Sequence, residues 1–514
     1  VVVNPPVSYT YARIISAMDA PDGPRRFSVT TPLLQALDAV KADQYGAIAD
    51  VSELEAILGE GEAVVHSTVS KEAKLLFKYS IPLTLTYLLQ YSFSLTTIFV
   101  VGHIGTDELG AVSLATMTAS ITGYAVFEGL ATSLDTLCAQ AYGSGRKEQV
   151  GLHLQRMVLL MTLITIPIGA VWLCSGWILT ALVPEKDLAI LAGRYLRILL
   201  LSTPGFFIFE AGKRFTQAQG LFNASLFVLI ISTPLNIVFN YVFVFVLQWD
   251  LVGAALATVL SNTLLPIFLW IYVYFIYPPS LECWGGFTRA AFTNWGPMIK
   301  LSVPGIVMVE AEWLAFDILT FSASYLSTSH LAAQSVVMTT CVVMFHIPFS
   351  VSVAVSTRLG NLIGAGSLEA ARIATRTYVI IFAIMGAIDA TLIGSLRNIL
   401  PNAFSDDPEV VAIAARVMPV LATFQIFDAS TALVNSVLRG LGRQTIGGYV
   451  NLFVYYVVAV PLALFLCFGK PHLKLTGLWI GCVVGSSLIT LFEGAYCKFT
   501  DWEKAVVNAQ EREE

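Results

Sequence analysis

From about residue 76 onward, runs of predominantly apolar residues recur, each roughly 20 to 25 long, and about 20 suffice for a helix to cross the hydrocarbon of a bilayer. They fall near 76–101, 109–137, 154–180, 188–212, 223–247, 251–277, 299–326, 330–357, 375–398, 409–436, 445–468 and 475–497. Hydrocarbon offers a backbone N–H or C=O no partner, so each run must close its own hydrogen bonds as a helix. The runs lack the short alternation of barrel strands. The expected fold is an all-α membrane protein with twelve transmembrane helices.

Composition agrees. The chain of 514 residues is 56% hydrophobic and 12% charged, whereas a soluble protein carries about 25% charged residues. The net charge of −6 sits mostly in the two tails, and no basic patch of the kind that follows phosphates is present, so no nucleic-acid partner is expected. The seven cysteines show neither CxxC nor Cys/His spacing. They read as small apolar fillers, with no metal implied. Residues 1–71 lack the basic patch and apolar core of a signal peptide. They carry an acidic stretch around Asp50, Glu53, Glu55, Glu60 and Glu62, and a cytosolic tail is expected.

Basic residues of a membrane protein gather on the cytosolic side. Lys71, Lys74 and Lys78 precede the first run, the even-numbered connections hold Arg146, Lys147, Arg289, Arg358, Arg372 and Arg443, among others, and Lys498 and Lys504 follow the last. The odd-numbered connections hold few, and carry Asp107, Glu108, Asp406 and Asp407. Both termini are therefore expected in the cytosol, with the vacuolar and plasma membranes as alternatives.

The chain also repeats itself. Ser80-Ile81-Pro82 matches Ser302-Val303-Pro304 at an offset of 222, and the same offset pairs Leu109-Gly110-Ala111 with Leu331-Ala332-Ala333 and Arg194 with Arg416. At 221, Gly143-Ser144-Gly145 matches Gly364-Ala365-Gly366. Six helices per copy is an even number, so the two copies share one orientation, as in a parallel repeat about an axis normal to the membrane. The expected organisation is an N-lobe of helices one to six (72–278), a cytosolic linker (279–297), a C-lobe of helices seven to twelve (298–500) and a C-terminal tail (501–514). Two pseudo-symmetric six-helix lobes about a cleft suit a carrier that alternates its access.

Carboxylates inside such runs are costly, about 2.5–3.5 kcal/mol at the helix centre on the insertion scale, and so mark candidate sites. Glu310, Glu312 and Asp317 fall in the seventh run. At 3.6 residues per turn Glu310 and Asp317 lie about 20° apart and Glu312 about 160° from Glu310, so the three cannot all face one cavity. At the repeat offset Glu312 replaces Gln90, and Asp317 replaces Leu95: the acidic centre belongs to the second copy. Asp428 shares a helical stripe with Thr431 and Asn435 in the tenth run, and the eleventh supplies Asn451, Tyr455 and Tyr456. Burial disfavours the charged form of a carboxylate and a second carboxylate nearby disfavours it further, so Glu312 and Asp428 are expected to bind and release protons, with Asp317 a weaker candidate. The expected cavity lining is Gln90, Trp313, Thr431, Asn435, Asn451 and Tyr455. Its aromatic members would suit large, flat or cationic organic molecules.

Other polar residues read as structural: Asp135 as a bond to a neighbouring helix, Asn236 and Asn240 as glue between helices, Glu210 as a pair with Lys213 or Arg214 at the cytosolic rim, and His346 as a packed histidine. Glu128 is open. With no GxxxxGK[ST] phosphate loop and no GxSxG elbow, no enzyme is expected, no cofactor, and no direct use of ATP.

Several of these motifs together resemble the multidrug and toxic compound extrusion (MATE) family. They are Val101-Gly102-His103-Ile104-Gly105, Asp135-Thr136-Leu137-Cys138-Ala139-Gln140-Ala141-Tyr142-Gly143, Glu312-Trp313 with Ala315-Phe316-Asp317, and Leu438-Arg439-Gly440-Leu441-Gly442-Arg443-Gln444. The resemblance spans roughly 72–500, and the Glu-Trp pair points to the eukaryotic branch, with a fungal look in Phe209-Glu210-Ala211-Gly212-Lys213-Arg214. It implies a V-shaped pair of lobes and cation-coupled export of organic compounds. The coupling ion would be the proton, carried by Glu312 and Asp428, with Asp317 matching a second acid of some members. It further implies small organic substrates, membrane lipid as the surroundings and a monomer. A lipid or lipid-linked sugar flippase of the same two-lobe architecture is the alternative. It would need a cationic cleft, and the second copy shows no Lys or Arg well inside its runs.

Overall fold

The computed structural model describes residues 67–182 and 185–513; the acidic stretch of the N-terminal tail lies outside them. All regular structure among these residues is helical. Span one is Val69–Gly102, and span two is Thr106–Ala119 and Ala125–Gly143 joined by a π-helical turn, Ser120–Tyr124. Span three is Lys147–Leu173, followed by a short helix, Ser175–Leu182. Span four is Lys186–Leu199 and Thr203–Ala218 joined by a 3₁₀ turn. Spans five (Asn223–Tyr241) and six (Asp250–Ile271) both end in π-helical turns. Two 3₁₀ turns, Pro278–Cys283 and Arg289–Phe292, lead to spans seven (Gly296–Ser324), eight (Thr328–Gly364), nine (Leu368–Ser395) and ten (Pro408–Gly440). Span eleven runs Gln444–Phe453 and Val460–Phe468 with a π-helical turn between, span twelve is Lys474–Phe499, and Trp502–Glu513 forms a last helix.

Ten of these helices are long and apolar enough to cross a membrane by length and composition alone. Of the other two expected crossings, span four is broken by its 3₁₀ turn into helices of 14 and 16 residues, and span seven carries Lys300, Glu310, Glu312 and Asp317.

Local chemistry sets the helix ends. The Thr68 hydroxyl accepts from the Lys71 N–H at 3.3 Å at the start of span one, Ser327 accepts from His330 N–H at 3.1 Å at the start of span eight, and Asp407 accepts from Glu409 N–H at 2.9 Å ahead of Pro408. Each satisfies one of the orphan donors of a first turn. Spans two and eight both stop at the repeated glycine motif. Gly145 and Gly366 turn the chain with φ of 79° and 68°, a conformation only glycine adopts without strain.

The two copies meet at the end of the bundle that holds the start of span one and the ends of spans two, eight and ten. There, span two packs on spans seven and eight, and span one on spans eight and nine. A side chain at Gly143 would overlap the Asn361 carbonyl, and one at Gly364 the Gln140 carbonyl, so the repeated glycines are crossing points of two backbones. Buried Ser302 donates to Ser133 Oγ at 3.0 Å across the same seam. Gln444 Nε2 donates to Thr136 Oγ1 at 3.0 Å, and Gln140 Nε2 to the Gly440 carbonyl at 3.0 Å. The C-terminal helix covers this end: Trp502, Ala505 and Ala509 are buried against spans eight and nine, and Arg512 donates to Gln140 Oε1 at 2.9 Å.

Candidate transport cavity

Between the two copies lies a cavity of about 300 Å³ walled by spans one, two, four and six on one side and seven, eight and ten on the other. Its two walls differ in charge chemistry.

The wall from the first copy is ionic and largely paired; Glu128, left open by the sequence, lines it without an ion pair among the described residues. Glu210 and Lys213, 1% and 0% exposed, form an ion pair at 2.7 Å one helical turn apart on span four. Gln90 holds both ends, donating Nε2 to Glu210 Oε1 at 3.0 Å and accepting from Lys213 Nζ at 3.0 Å. The Lys213 ammonium also lies 4.9 Å from the centre of the Tyr87 ring, a cation–π contact. One residue on, Arg214 Nε lies 3.2 Å from Asp135 Oδ1 of span two, while its Nη1 donates to the Tyr87 hydroxyl at 3.2 Å and to Gln217 Oε1 at 3.1 Å. Asp135 thus bonds to a neighbouring helix. Glu210 does pair with Lys213, but in the buried wall rather than at a rim. The sequence sets the spacing of that pair but not the rotation that turns it inward.

The wall from the second copy is acidic and unpaired. Glu312 and Asp428 both line the cavity and sit within electrostatic reach of each other; neither forms an ion pair among the described residues. Asp428 is 2% exposed and its Oδ2 has no hydrogen-bond partner. Thr431 and Asn435 continue the wall below it. The Thr431 hydroxyl meets Thr490 Oγ1 at 3.1 Å, which ties span ten to span twelve.

Of the other residues expected in the lining, Gln90 and Trp313 are there. Asn451 and Tyr455 are not: they are 1% and 2% exposed and stand behind the wall, Tyr455 facing Glu312 and Ser486 from within the second copy. No residue of span eleven lines the cavity: the span packs behind spans seven and twelve. Asp317 is also placed apart from the cavity acids. With Glu310 it occupies the opposite face of span seven, toward Tyr456, as the angular separation from Glu312 requires. Asn236 donates to Ser261 Oγ at 2.9 Å and so joins spans five and six, whereas Asn240 donates to the Asn236 carbonyl at 2.9 Å within span five. His346 faces the cavity, with its Nδ1 2.6 Å from the Val342 carbonyl and its ring 5.2 Å from that of Tyr91.

Three buried acids lie beyond the sequence-based candidates. Asp389 of span nine and Glu493 of span twelve stand in apolar runs, where the rule that flagged Glu312 applies to them equally. Glu72 precedes the first apolar run, and nothing local marks it. Arg439 of span ten lines the floor of the cavity and is 7% exposed. The second copy therefore does place one guanidinium at the cleft, against the expectation from sequence, because span ten extends to Gly440.

The sequence profile of the MatE family matches residues 82–242 and again 304–465. The chain belongs to the MatE family. The two MatE matches begin at Pro82 and Pro304, so the family unit is present twice, in the register of the internal repeat. The chain is 43% identical over 447 residues to an uncharacterized transporter of Saccharomyces cerevisiae, a match that spans 87% of this chain and 64% of the yeast protein, just under two thirds of its length. It is 32% identical to Multidrug and toxin extrusion protein 2 of Mus musculus, with 86% and 77% of the two chains covered. A crystal structure of a eukaryotic MATE transporter superposes with a TM-score of 0.82 at 30% identity, over 86% of this chain and 99% of that one. This MatE protein is a multi-pass integral membrane protein of a transporter family.

Proposed function

We propose that this protein is a proton-coupled antiporter that exports organic compounds by alternating access. The observation that carries the reading is the pair of half-buried Glu312 and buried Asp428 in one wall of the central cavity, neither in an ion pair among the described residues. Protonation from the open side neutralises the pair, weakens its hold on a bound organic molecule, and lets span seven repack at Pro304. The closed end then opens and the protons leave on the other side. One pH unit supplies about 1.4 kcal/mol per proton, and 100 mV about 2.3 kcal/mol per charge, enough for a tenfold gradient of a neutral compound. Aromatic groups on both walls, Tyr91, Trp313 and Phe345 among them, support large, flat or cationic substrates. In this reading residues 72–278 and 298–500 move as two lobes of a monomer with both termini in the cytosol of a vacuolar or plasma membrane.

The test is reconstitution of Glu312→Gln and Asp428→Asn in liposomes with an imposed pH gradient and a panel of organic cations, flavonoid-like compounds and organic acids. Loss of gradient-driven efflux in both variants is the expected result, and undiminished efflux in both removes the mechanism. Arg439 on the cavity floor, its Nε without a hydrogen-bond partner, favours the second reading, a flippase holding a phosphate head group. Scrambling of labelled lipid lost on Arg439→Gln would support that reading instead.

A further inference from the structure

Glu493 lies in the last two turns of span twelve, 0% exposed, and neither of its carboxylate oxygens has a hydrogen-bond partner. No other acid of the second copy leaves both carboxylate oxygens buried and unpartnered among the described residues. An ionised carboxylate in that position gives up its hydration and receives no hydrogen bond in return, whereas the neutral acid forgoes far less. Acids read here as structural each have a cation in ion-pair range: Glu210 has Lys213, Glu72 has Arg358, and Asp135, whose oxygens also lack hydrogen-bond partners, has Arg214 at 3.2 Å.

Its surroundings connect it to the cavity. Ser486 and Thr490 precede it by seven and three residues, so all three fall on one stripe of the helix. That stripe packs on span ten, where Thr431 bonds to Thr490 and accompanies Asp428 in the cavity wall. From span seven Glu312 reaches Glu493 electrostatically, and from span ten Arg439 does. Arg439 Nη2 donates instead to Ser352 Oγ at 3.3 Å, and the two form no ion pair within the described residues. Span eleven carries no Asp, Glu, Lys or Arg, and its Tyr455 faces Glu312 and Ser486. Cys497 stands one turn further along span twelve.

We propose that Glu493 is a further proton-binding carboxyl of the second copy, whose proton occupancy is linked to the charge on Glu312. The linkage is elementary: two carboxylates in a medium of low dielectric repel, so a proton on one favours charge on the other. The step is a proton transfer only. An O–H bond breaks at one carboxyl and forms at the other, and no further reactant is needed. Glu493 would hold a proton away from the cavity, on the side of the chain termini, while Glu312 is charged and engaged with substrate. The proposal rests on the exchange reading for Glu312 and Asp428.

The test is infrared difference spectroscopy of the full chain in liposomes, acid minus alkaline, in the carboxyl C=O stretching region. Glu493→Gln, isosteric with the protonated acid, is expected to lose one band. Glu493→Asp, the fallback should the glutamine variant misfold, is expected to retain a band at a shifted frequency. Glu312→Gln is expected to keep the Glu493 band and displace its pH midpoint. A Glu493→Gln spectrum superimposable on wild type, an unshifted band in Glu493→Asp, or a midpoint indifferent to Glu312→Gln overturns the proposal. Bands lost in Glu312→Gln and Asp428→Asn but not in Glu493→Gln would refute the Glu493 assignment and leave the exchange reading intact. If Glu312→Gln and Asp428→Asn lose no band of their own, the exchange reading fails, and the linkage fails with it.

Discussion

Arg358 of span eight clasps Glu72 of span one with two hydrogen bonds, Nε to Oε2 at 3.1 Å and Nη2 to Oε1 at 2.6 Å. Tyr378 of span nine donates to the same carboxylate at 2.9 Å. Glu72 is 0% exposed, and the bond joins the first copy to the second at the closed end. A forked guanidinium–carboxylate bond is strong and geometrically selective, and under the alternating access proposed above, opening at this end must break it.

Removing one partner leaves the other buried and uncompensated, which costs about 3–5 kcal/mol. Glu72→Ala and Arg358→Ala are each expected to lower stability by that order, while the double variant loses less than the sum. A double-mutant cycle on apparent unfolding free energy in detergent measures it. Strict additivity would show that the contact does not couple the two copies.

Gly143→Ala and Gly364→Ala should each wedge the copies apart where backbones cross. Spin labels on Arg146→Cys and Ala365→Cys, both exposed, are expected to report a longer distance in either glycine variant than in the parent. An unchanged distance distribution would mean that the crossing absorbs a methyl group.

The C-terminal helix should act in the same direction. Deletion of 502–514 removes the Arg512 bond to Gln140 and the cover of Trp502 over spans eight and nine. The same label pair is expected to show a larger open fraction. Arg512→Gln alone should reproduce part of that shift.

Lys147 and Glu282 supply a control. They pair at 2.9 Å, but their side chains are 49% and 62% exposed, and water screens such pairs almost completely. Lys147→Ala is expected to leave the melting temperature within error of the parent, at low and at high salt.

The sequence-based reading reached further for the fold than for the site. Apolar run length alone places the helices, because hydrocarbon leaves the backbone no alternative. The repeat at offset 222 is the register in which the family unit matches twice. Glu312 and Asp428 were legible because an acid in an apolar run is expensive, and the 160° between Glu310 and Glu312 already required one of them to turn away. Other features were hidden for physical reasons. Tyr455 and Asn451 leave the expected lining because the whole of span eleven packs behind spans seven and twelve, an arrangement of helices that no single run announces. The paired wall of Glu210, Lys213 and Asp135 depends on how spans two and four face each other, a tertiary fact. Glu72 lies outside any apolar run, and its partner is 286 residues away.

The contrast between the two walls has a consequence for how a duplicated protein divides its labour. Glu210 faces Lys213 and Asp135 faces Arg214, while at the equivalent of Glu312 the first copy keeps the neutral amide of Gln90. A bond between two fixed charges has a single setting and serves as an anvil. A solitary acid has two settings, and under the proposed exchange it would serve as the hammer; most of the fixed bonds fall to the first copy, although its Glu128 also lines the cavity without an ion pair among the described residues.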